Sequence, residues 1–362
     1  MLDPKNFLNF LKKNKINFFC GVPDSCVAPF VEKIKKNYVM ANEGTAVSFG
    51  AGYYLSTKKI PLIYFQNSGL GNATDPLTNL FNKEIYGLPI VLLIGWRGHP
   101  KIKDEPQHII QGKILKKTLK SFGIRYRELN GKKSLKSIKN LLDYSKKKSK
   151  IVAVLAHKNS FLVNKKKSNN FNNYKIKRRD ALLEILTKSS KKDKFFSSVG
   201  FNSREMFQNC IEKKISRKIF YLIGGMGHTA AVALGSNLHD KNVKNTICID
   251  GDGSFIMHMG SIVNAGNLSK RNFKYIVFKN DKHESVGNIN LKFDLDYKKF
   301  SQATGFQKFI ITKHKNDLSK HVKTLFEFKG SVFHLIYVKN GTFKNLLRVN
   351  NIKKIKKDFL LK

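Results

Sequence analysis

The stretch "IDGDGSFIMHMGSIVNAGNLSKRNFKYIVFKNDKHESVG", residues 249–287, decides how this chain is read. An apolar run ends in Gly251-Asp252-Gly253, and a second apolar run ends at Asn280-Asp281. In an open parallel sheet, ligands bind beyond the carboxyl ends of the strands. Gly251 and Gly253 allow a tight turn and a close backbone approach, and Asp252 offers a carboxylate there. If the two strands are neighbours, Asn280 brings a side-chain oxygen near that carboxylate. One carboxylate, one amide oxygen and a backbone carbonyl make a hard-oxygen site that suits Mg2+ bridging phosphates. The plainer alternative is two tight turns whose Asp and Asn cap the following helices.

Outward from this stretch, the chain reads as repeated βα units. Continuous apolar runs at 17–22, 60–66, 88–96 and 151–157 form one set; runs at 194–200, 218–225, 245–253, 273–280 and 331–339 form a second. Runs without alternation are expected of strands covered on both faces. Helical patterns such as 44–57 and 228–240 lie between them. The fold class is therefore α/β, with two doubly wound parallel-sheet domains. They are expected over 1–163 and 179–362, joined by a polar Asn/Lys-rich linker at 164–178.

The 362 residues carry 68 Lys+Arg against 25 Asp+Glu, a net charge of +43. The lysines are dispersed and accompanied by abundant Asn and Ile, the bias of an AT-rich coding sequence. No RNP-like, zinc-finger or recognition-helix pattern accompanies them, so no nucleic-acid partner is expected. Weak steering of an anionic substrate is the role left to the charge. No run reaches the length of a membrane span, and Asp3-Pro4 looks like a helix cap rather than part of a signal peptide. Cys20, Cys26, Cys210 and Cys248 make no metal-ligand spacing, which fits a reduced, cytoplasmic protein.

Gly-Asp-Gly, a spacer and an Asn-containing turn together resemble the motif by which thiamine-diphosphate enzymes hold the cofactor's diphosphate through Mg2+. The resemblance implies Asp252, Asn280 and the Lys282 carbonyl as metal ligands, with Gly251, Gly253 and Ser254 beside the cofactor. Lys279 and Asp281-Lys282 depart from the family's smaller or amide residues. "ANEGTAVSFGAGYYLST" (41–57) is similar to the family's pyrimidine-domain signature. Glu43 would then hydrogen-bond the aminopyrimidine ring, although it would serve equally as a helix-start acid. The loop Gly225-Met226-Gly227-His228 would face the cofactor, with Met226 holding its rings bent. The same loop, Gly225-x-Gly227-x-x-Ala230 followed by Asp250, also satisfies a loose dinucleotide fingerprint, which makes an NAD-dependent oxidoreductase the distant rival.

Further segments, "GVPDS" (21–25), "QNSGLGNATDPLT" (66–78), "GWRG" (95–98), "DEPQH" (104–108), "GMGH" (225–228) and "HESVG" (283–287), look like the phosphonopyruvate decarboxylase family, with the sulfopyruvate decarboxylases as its sister. That resemblance implies no middle domain, a small anionic 2-oxo acid as substrate, and phosphonoacetaldehyde and CO2 as products, in phosphonate biosynthesis. It also implies a homodimer or larger homo-oligomer with active sites between subunits. Asp24 and His108 are candidates beside Glu43 for proton handling. Ser25, Arg97, Gln107, Lys282 and His283 are candidates for the substrate, Arg97 as a fork and Lys282 or His283 as added charge. His283-Glu284 could instead simply begin a helix.

Overall fold

A computed structural model describes residues 1–163, 172–269, 272–291, 293–343 and 345–360. The described residues pack as two compact units: those up to 163 together with 285–289, and those from 172 to 284 together with those from 290 to 360.

The first unit is built on β1 (Phe19–Gly21), β2 (Tyr38–Val39), β3 (Leu62–Gln66), β4 (Ile90–Gly95), β5 (Arg125–Glu128) and β6 (Ile151–Ala156). They lie in the order β2-β1-β3-β4-β6-β5, and every pair is parallel. The interior strands β3, β4 and β6 are buried along nearly their whole length, which explains their unbroken apolar runs. Edge strand β5, "RYRE", alternates exposed and half-buried positions, so no apolar run announces it. Below the sheet Phe7, Phe30 and Phe161 pack with ring centroids 5.3–5.9 Å apart. Phe7 sits on the helix Pro4–Lys13, whose Asp3 cap accepts from the amides of Lys5 (2.7 Å) and Asn6 (3.1 Å) as the sequence leads one to expect.

The second unit contains β7 (Ile176–Lys177), β8 (Lys194–Ser197), β9 (Lys218–Tyr221), β10 (Thr246–Gly251), β11 (Phe273–Lys279), β12 (Lys308–Thr312) and β13 (Val332–Lys339). The order is β9-β8-β10-β11-β13-β12, all parallel, with β7 added beside the end of β13. Strand for strand this repeats the topology of the first unit. Successive β10 residues serve opposite faces: Ile247 and Ile249 join one core with Ile276 and Ile336, and Cys248 joins the other with Tyr275 and Phe333. Two covered faces leave room for a polar side chain in such a strand only where it is hydrogen-bonded, as Asp250 is to the Tyr275 hydroxyl. Each fully buried Ile or Phe contributes about 1.5–3 kcal/mol of transfer free energy.

All nine apolar runs are strands of these sheets. The structure adds β2, β5, β7 and β12, which are short or lie at sheet edges, where one polar face hides the pattern. In the segment expected to connect the domains, residues 164–171 lie outside the described residues, Ile176–Lys177 form β7, and a helix begins at Arg178. His283-Glu284 do not start an α-helix: His283 lies in the extended pair Lys282–His283, and Glu284 opens a 3-10 turn. Among the described residues no helix is long and apolar enough to cross a membrane.

Candidate active site

In each sheet the strand order first reverses direction near its middle, between β1 and β3 and between β8 and β10. Loops diverge at such a switch point and leave a crevice for ligands. The candidate residues gather at these two places.

In the first unit, Glu43 is the first residue of the helix Glu43–Thr57, behind the cap Asn42, whose side chain accepts from the Thr45 amide at 2.9 Å. The helix dipole favours a charged carboxylate there, but Glu43 is only 5% exposed. Burial pushes its carboxyl up from the ordinary range, with only partial relief from the Asn72 amide, which donates to Oε2 at 2.7 Å. Gly69, in the turn after β3, lies directly against this carboxyl group.

Asp24 follows β1 and is 1% exposed. Its Oδ1 accepts from the Cys26 amide at 2.8 Å, and Oδ2 is buried without a hydrogen-bond partner among the described residues. Burial raises its carboxyl, while the Cys26 amide and the Arg97 charge pull the other way. A Cβ on Gly95, the last residue of β4, would overlap Oδ1, so both buried carboxyl groups rest against a glycine.

Arg97 does not offer a free fork. Its Nε and Nη2 donate to Asp104 at 2.8 and 2.5 Å, and Nη1 donates to Ser25 Oγ at 3.1 Å. Burial would raise the Asp104 carboxyl, but the Arg97 hydrogen bonds and the Gly98 amide outweigh it and hold it well below the usual range. The expected anion contact is therefore reduced to Nη1 and the Ser25 hydroxyl. Gln107 and His108 stand half-buried in the first turn of the helix Pro106–Ser121. Burial and then Arg97 push His108 down to about 4, so its imidazole is neutral at neutral pH.

In the second unit β10 and β11 run in register, Gly251 opposite Phe278, so Asp252 and Asn280 emerge at the same sheet edge. Asp252 is 3% exposed. Its Oδ1 accepts from the Gly253 amide (2.9 Å), and Oδ2 from the amides of Asn280 (2.9 Å) and Asp281 (2.7 Å). The two donors converge because Asp281 adopts φ 63°, a left-handed turn that Asp tolerates. Tyr174 donates to Asp281 Oδ2 at 2.6 Å, and the Asn172 side chain donates to the Asn280 carbonyl at 3.1 Å, which straps the loop down. Asn280 Oδ1 accepts from the Lys282 amide at 3.0 Å. Lys282 itself is half-buried.

The loop 225–228 joins this edge through the Gly227 amide, which donates to Ser254 Oγ at 3.0 Å. Gly225 and Gly227 have φ 66° and 87°. A Cβ on Gly227 would lie 2.6 Å from the His258 ring. His258, which sequence reasoning missed, stacks on the exposed His228 with ring centroids 4.2 Å apart. Met226 is half-buried. A Cβ on Gly253 would lie 2.6 Å from Nδ1 of His283. His283 is 6% exposed, and burial pushes it down to about 4. It therefore carries no charge to an anion, contrary to the expectation that it adds one.

The dinucleotide fingerprint fails on this geometry. The glycine loop follows β9, whereas Asp250 lies on β10, with β8 between them. Asp250 is also buried and occupied, accepting from the Tyr275 hydroxyl at 3.0 Å and the Gly251 amide at 3.0 Å. It cannot reach a ribose.

The family model for the thiamine pyrophosphate enzyme N-terminal TPP binding domain matches residues 5–119, and that for the C-terminal TPP binding domain matches 199–336. The chain belongs to the thiamine pyrophosphate enzymes.

Within this family it is 26% identical to a phosphonopyruvate decarboxylase of Streptomyces viridochromogenes, over 91% of this chain and 86% of that protein. A phosphonopyruvate decarboxylase of Streptomyces hygroscopicus is also 26% identical, over 79% of this chain and 75% of its own length. A sulfopyruvate decarboxylase of Methanosarcina acetivorans is 23% identical, over 83% and 82%.

The residues present fit the family's cofactor. Gly253 and Gly227 let the backbone pack directly against His283 and His258, where a Cβ would collide, and this leaves the Asp252 carboxylate and the Asn280 amide oxygen together at the strand ends. Among the described residues no group of three His, Cys, Asp or Glu could hold a metal; a cation at this edge would use amide and carbonyl oxygens beside the Asp252 carboxylate. That donor set is hard and suits Mg2+ shared with phosphate. Gly69, Asn72, Gly95 and Asp104 have no role assigned from sequence. Gly69, Asn72 and Asp104 do lie within the quoted segments 66–78 and 104–108, and Gly95 opens "GWRG".

Proposed function

We propose that the protein is a Mg2+- and thiamine-diphosphate-dependent decarboxylase of 3-phosphonopyruvate, yielding phosphonoacetaldehyde and CO2 in phosphonate biosynthesis. The observation that carries this reading is the 26% identity to a phosphonopyruvate decarboxylase over 91% of the chain. The sulfopyruvate decarboxylase that matches 83% of the chain supports a second reading, the same chemistry on the sulfonate.

Thiamine diphosphate supplies the electron sink for the carbon–carbon bond that breaks. The chain's own residues do the rest. Asp252, Asn280 and the Lys282 carbonyl would hold the Mg2+, and Gly225 to His228 with Gly251, Gly253 and Ser254 would line the diphosphate side. Glu43, whose carboxyl is pushed up by burial, is suited to share a proton with a ring nitrogen of the cofactor. The buried Asp24, with Oδ2 unpartnered, is suited to hold a proton at that atom. Arg97 Nη1 and Ser25 would be the donors to a substrate anion, with neutral His108 under the influence of Arg97 and Gln107 next to it in the same helical turn. The four cysteines are all free, which supports a cytoplasmic protein, and the family's architecture supports a homodimer or larger homo-oligomer.

The test is aldehyde release by the purified protein with thiamine diphosphate and Mg2+ on phosphonopyruvate, sulfopyruvate and pyruvate in parallel. Preference for phosphonopyruvate is expected. Preference for sulfopyruvate moves the protein to the sister activity, and no release from any of the three overturns the decarboxylase reading.

A further inference from the structure

An asparagine can serve a cation only through its oxygen, yet the two ends of its amide have nearly the same shape. Something must fix which end faces the ligand. At Asn280, Nδ2 donates to Glu284 Oε2 at 2.6 Å. A carboxylate only accepts, so Glu284 can face the nitrogen and not the oxygen. On the other side the Lys282 amide, which only donates, meets Oδ1 at 3.0 Å. Both neighbours select the same orientation.

Glu284 is anchored from behind. Its Oε2 also accepts from Arg178 Nη2, and its Oε1 accepts from the Gly341 amide. Arg178 donates through Nη1 to Glu205 Oε1 at 3.1 Å. The side chains of Arg178, Glu205 and Glu284 are 3%, 2% and 6% exposed, so the whole cluster is out of water. A buried ion cluster of this kind contributes little net stability against apolar residues of the same volume. What it does supply is a fixed carboxylate at one end of the Asn280 amide.

We propose that Glu284 is the positioning residue for Asn280: held by Arg178 and the Gly341 amide, it locks the amide so that Oδ1 is the end kept for the cation. The proposal rests on the Mg2+ reading given above. Outer partners of metal ligands typically govern metal affinity by about 10–100-fold.

The experiment measures thiamine diphosphate binding to the purified apoprotein as a function of Mg2+, by calorimetry, for the wild type and for Glu284→Gln, Asn280→Asp and the double variant. Apoprotein melting is followed alongside. Glu284→Gln lets the amide at 280 turn, and a Mg2+ affinity about 10-fold weaker or worse is expected. Asn280→Asp sets a carboxylate against Glu284 and is expected to bind poorly as well. The double variant restores one donor facing one acceptor, now with the introduced glutamine donating, and is expected to bind Mg2+ more tightly than either single change. If Glu284→Gln does not fold, Arg178→Met with Glu284→Gln removes cation and anion together and is expected to show the same loss.

Unchanged Mg2+ affinity in Glu284→Gln, or in its Arg178→Met companion, overturns the role. So does a double variant no better than its parents, because a merely structural contact is not rescued by reversing its polarity. Wild-type binding that ignores Mg2+ overturns the metal reading itself, and is told apart from the other outcomes by the wild-type titration alone.

Discussion

Gly69 lies so close to Glu43 that a Cβ added to the glycine would sit 2.5 Å from Oε1 and 2.6 Å from the carboxyl carbon. The helix that carries Glu43 and the turn after β3 that carries Gly69 are thus fitted to each other around one buried carboxyl group. Glu43→Gln keeps the shape and the Asn72 contact but cannot share a proton. Cofactor binding by calorimetry is expected to persist while turnover falls by about 10^2–10^4-fold. Near-normal turnover removes Glu43 from the mechanism.

Gly69→Ala tests the same carboxyl group from its other side. The added methyl must displace Glu43, and a buried carboxyl moved by even part of an ångström loses its alignment. Turnover is expected to drop about 100-fold with the melting temperature changed by only a few degrees. An alanine variant with full activity means that Glu43 does not need this position.

Asp252→Ala removes the acceptor of three backbone amides, those of Gly253, Asn280 and Asp281. The apoprotein is expected to lose about 1–3 kcal/mol of stability for each amide left unsatisfied in the interior. Mg2+-dependent cofactor binding is expected to disappear from the titration. Retained affinity excludes Asp252 as a metal ligand.

Arg97→Lys keeps the charge but loses the fork that Asp104 occupies. If Nη1 reaches the substrate anion, KM is expected to rise about tenfold with kcat less affected. A kcat loss at constant KM assigns Arg97 to holding Ser25 and Asp104 in place instead.

His334 makes one contribution to the pH dependence whose sign is fixed by its burial. It is fully buried, Nε2 faces Thr312 Oγ1 at 2.7 Å, and burial with the nearby His321 pushes it down to about 3. A histidine depressed in the folded state stabilises above its unfolded value near 6.5, and that stability is lost as pH falls from there toward 3, at about 1.4 kcal/mol per pH unit. The buried Glu43 and Asp24, raised in the folded state, act in the opposite sense, losing their contribution as pH rises. The His334→Gln variant therefore isolates the term: its urea midpoint is expected to fall less steeply than the wild type's between pH 6.5 and 4. Parallel curves mean that His334 does not titrate with unfolding.

The parts of the site that are legible in sequence lie where local pattern and position coincide. Asp252 and Asn280 each follow a continuous apolar run, and a strand buried on both faces can hardly produce any other pattern. Glu43 stands at a helix start marked by Asn42. The charge expected from His283 and the free fork expected from Arg97 fail for one reason: a sequence gives a side chain's type but not its neighbours. Asp104 lies within a quoted segment, yet nothing local says that it turns back onto Arg97.

Composition, apolar period and the spacing of a few polar residues were thus enough to determine two parallel α/β units, their interior strands and the residues at the strand ends. Tertiary structure alone decided the edge strands β2, β5, β7 and β12, the glycines that make room for Asp24 and Glu43, and the burial that keeps His108 and His283 neutral. It alone brought Arg178 to Glu284 across the 106 positions that separate them. Local periodicity records only which face of an element meets the core. Which side chain meets which is fixed when distant segments close on one another, and hydrogen bonds and charge are decided at those meetings.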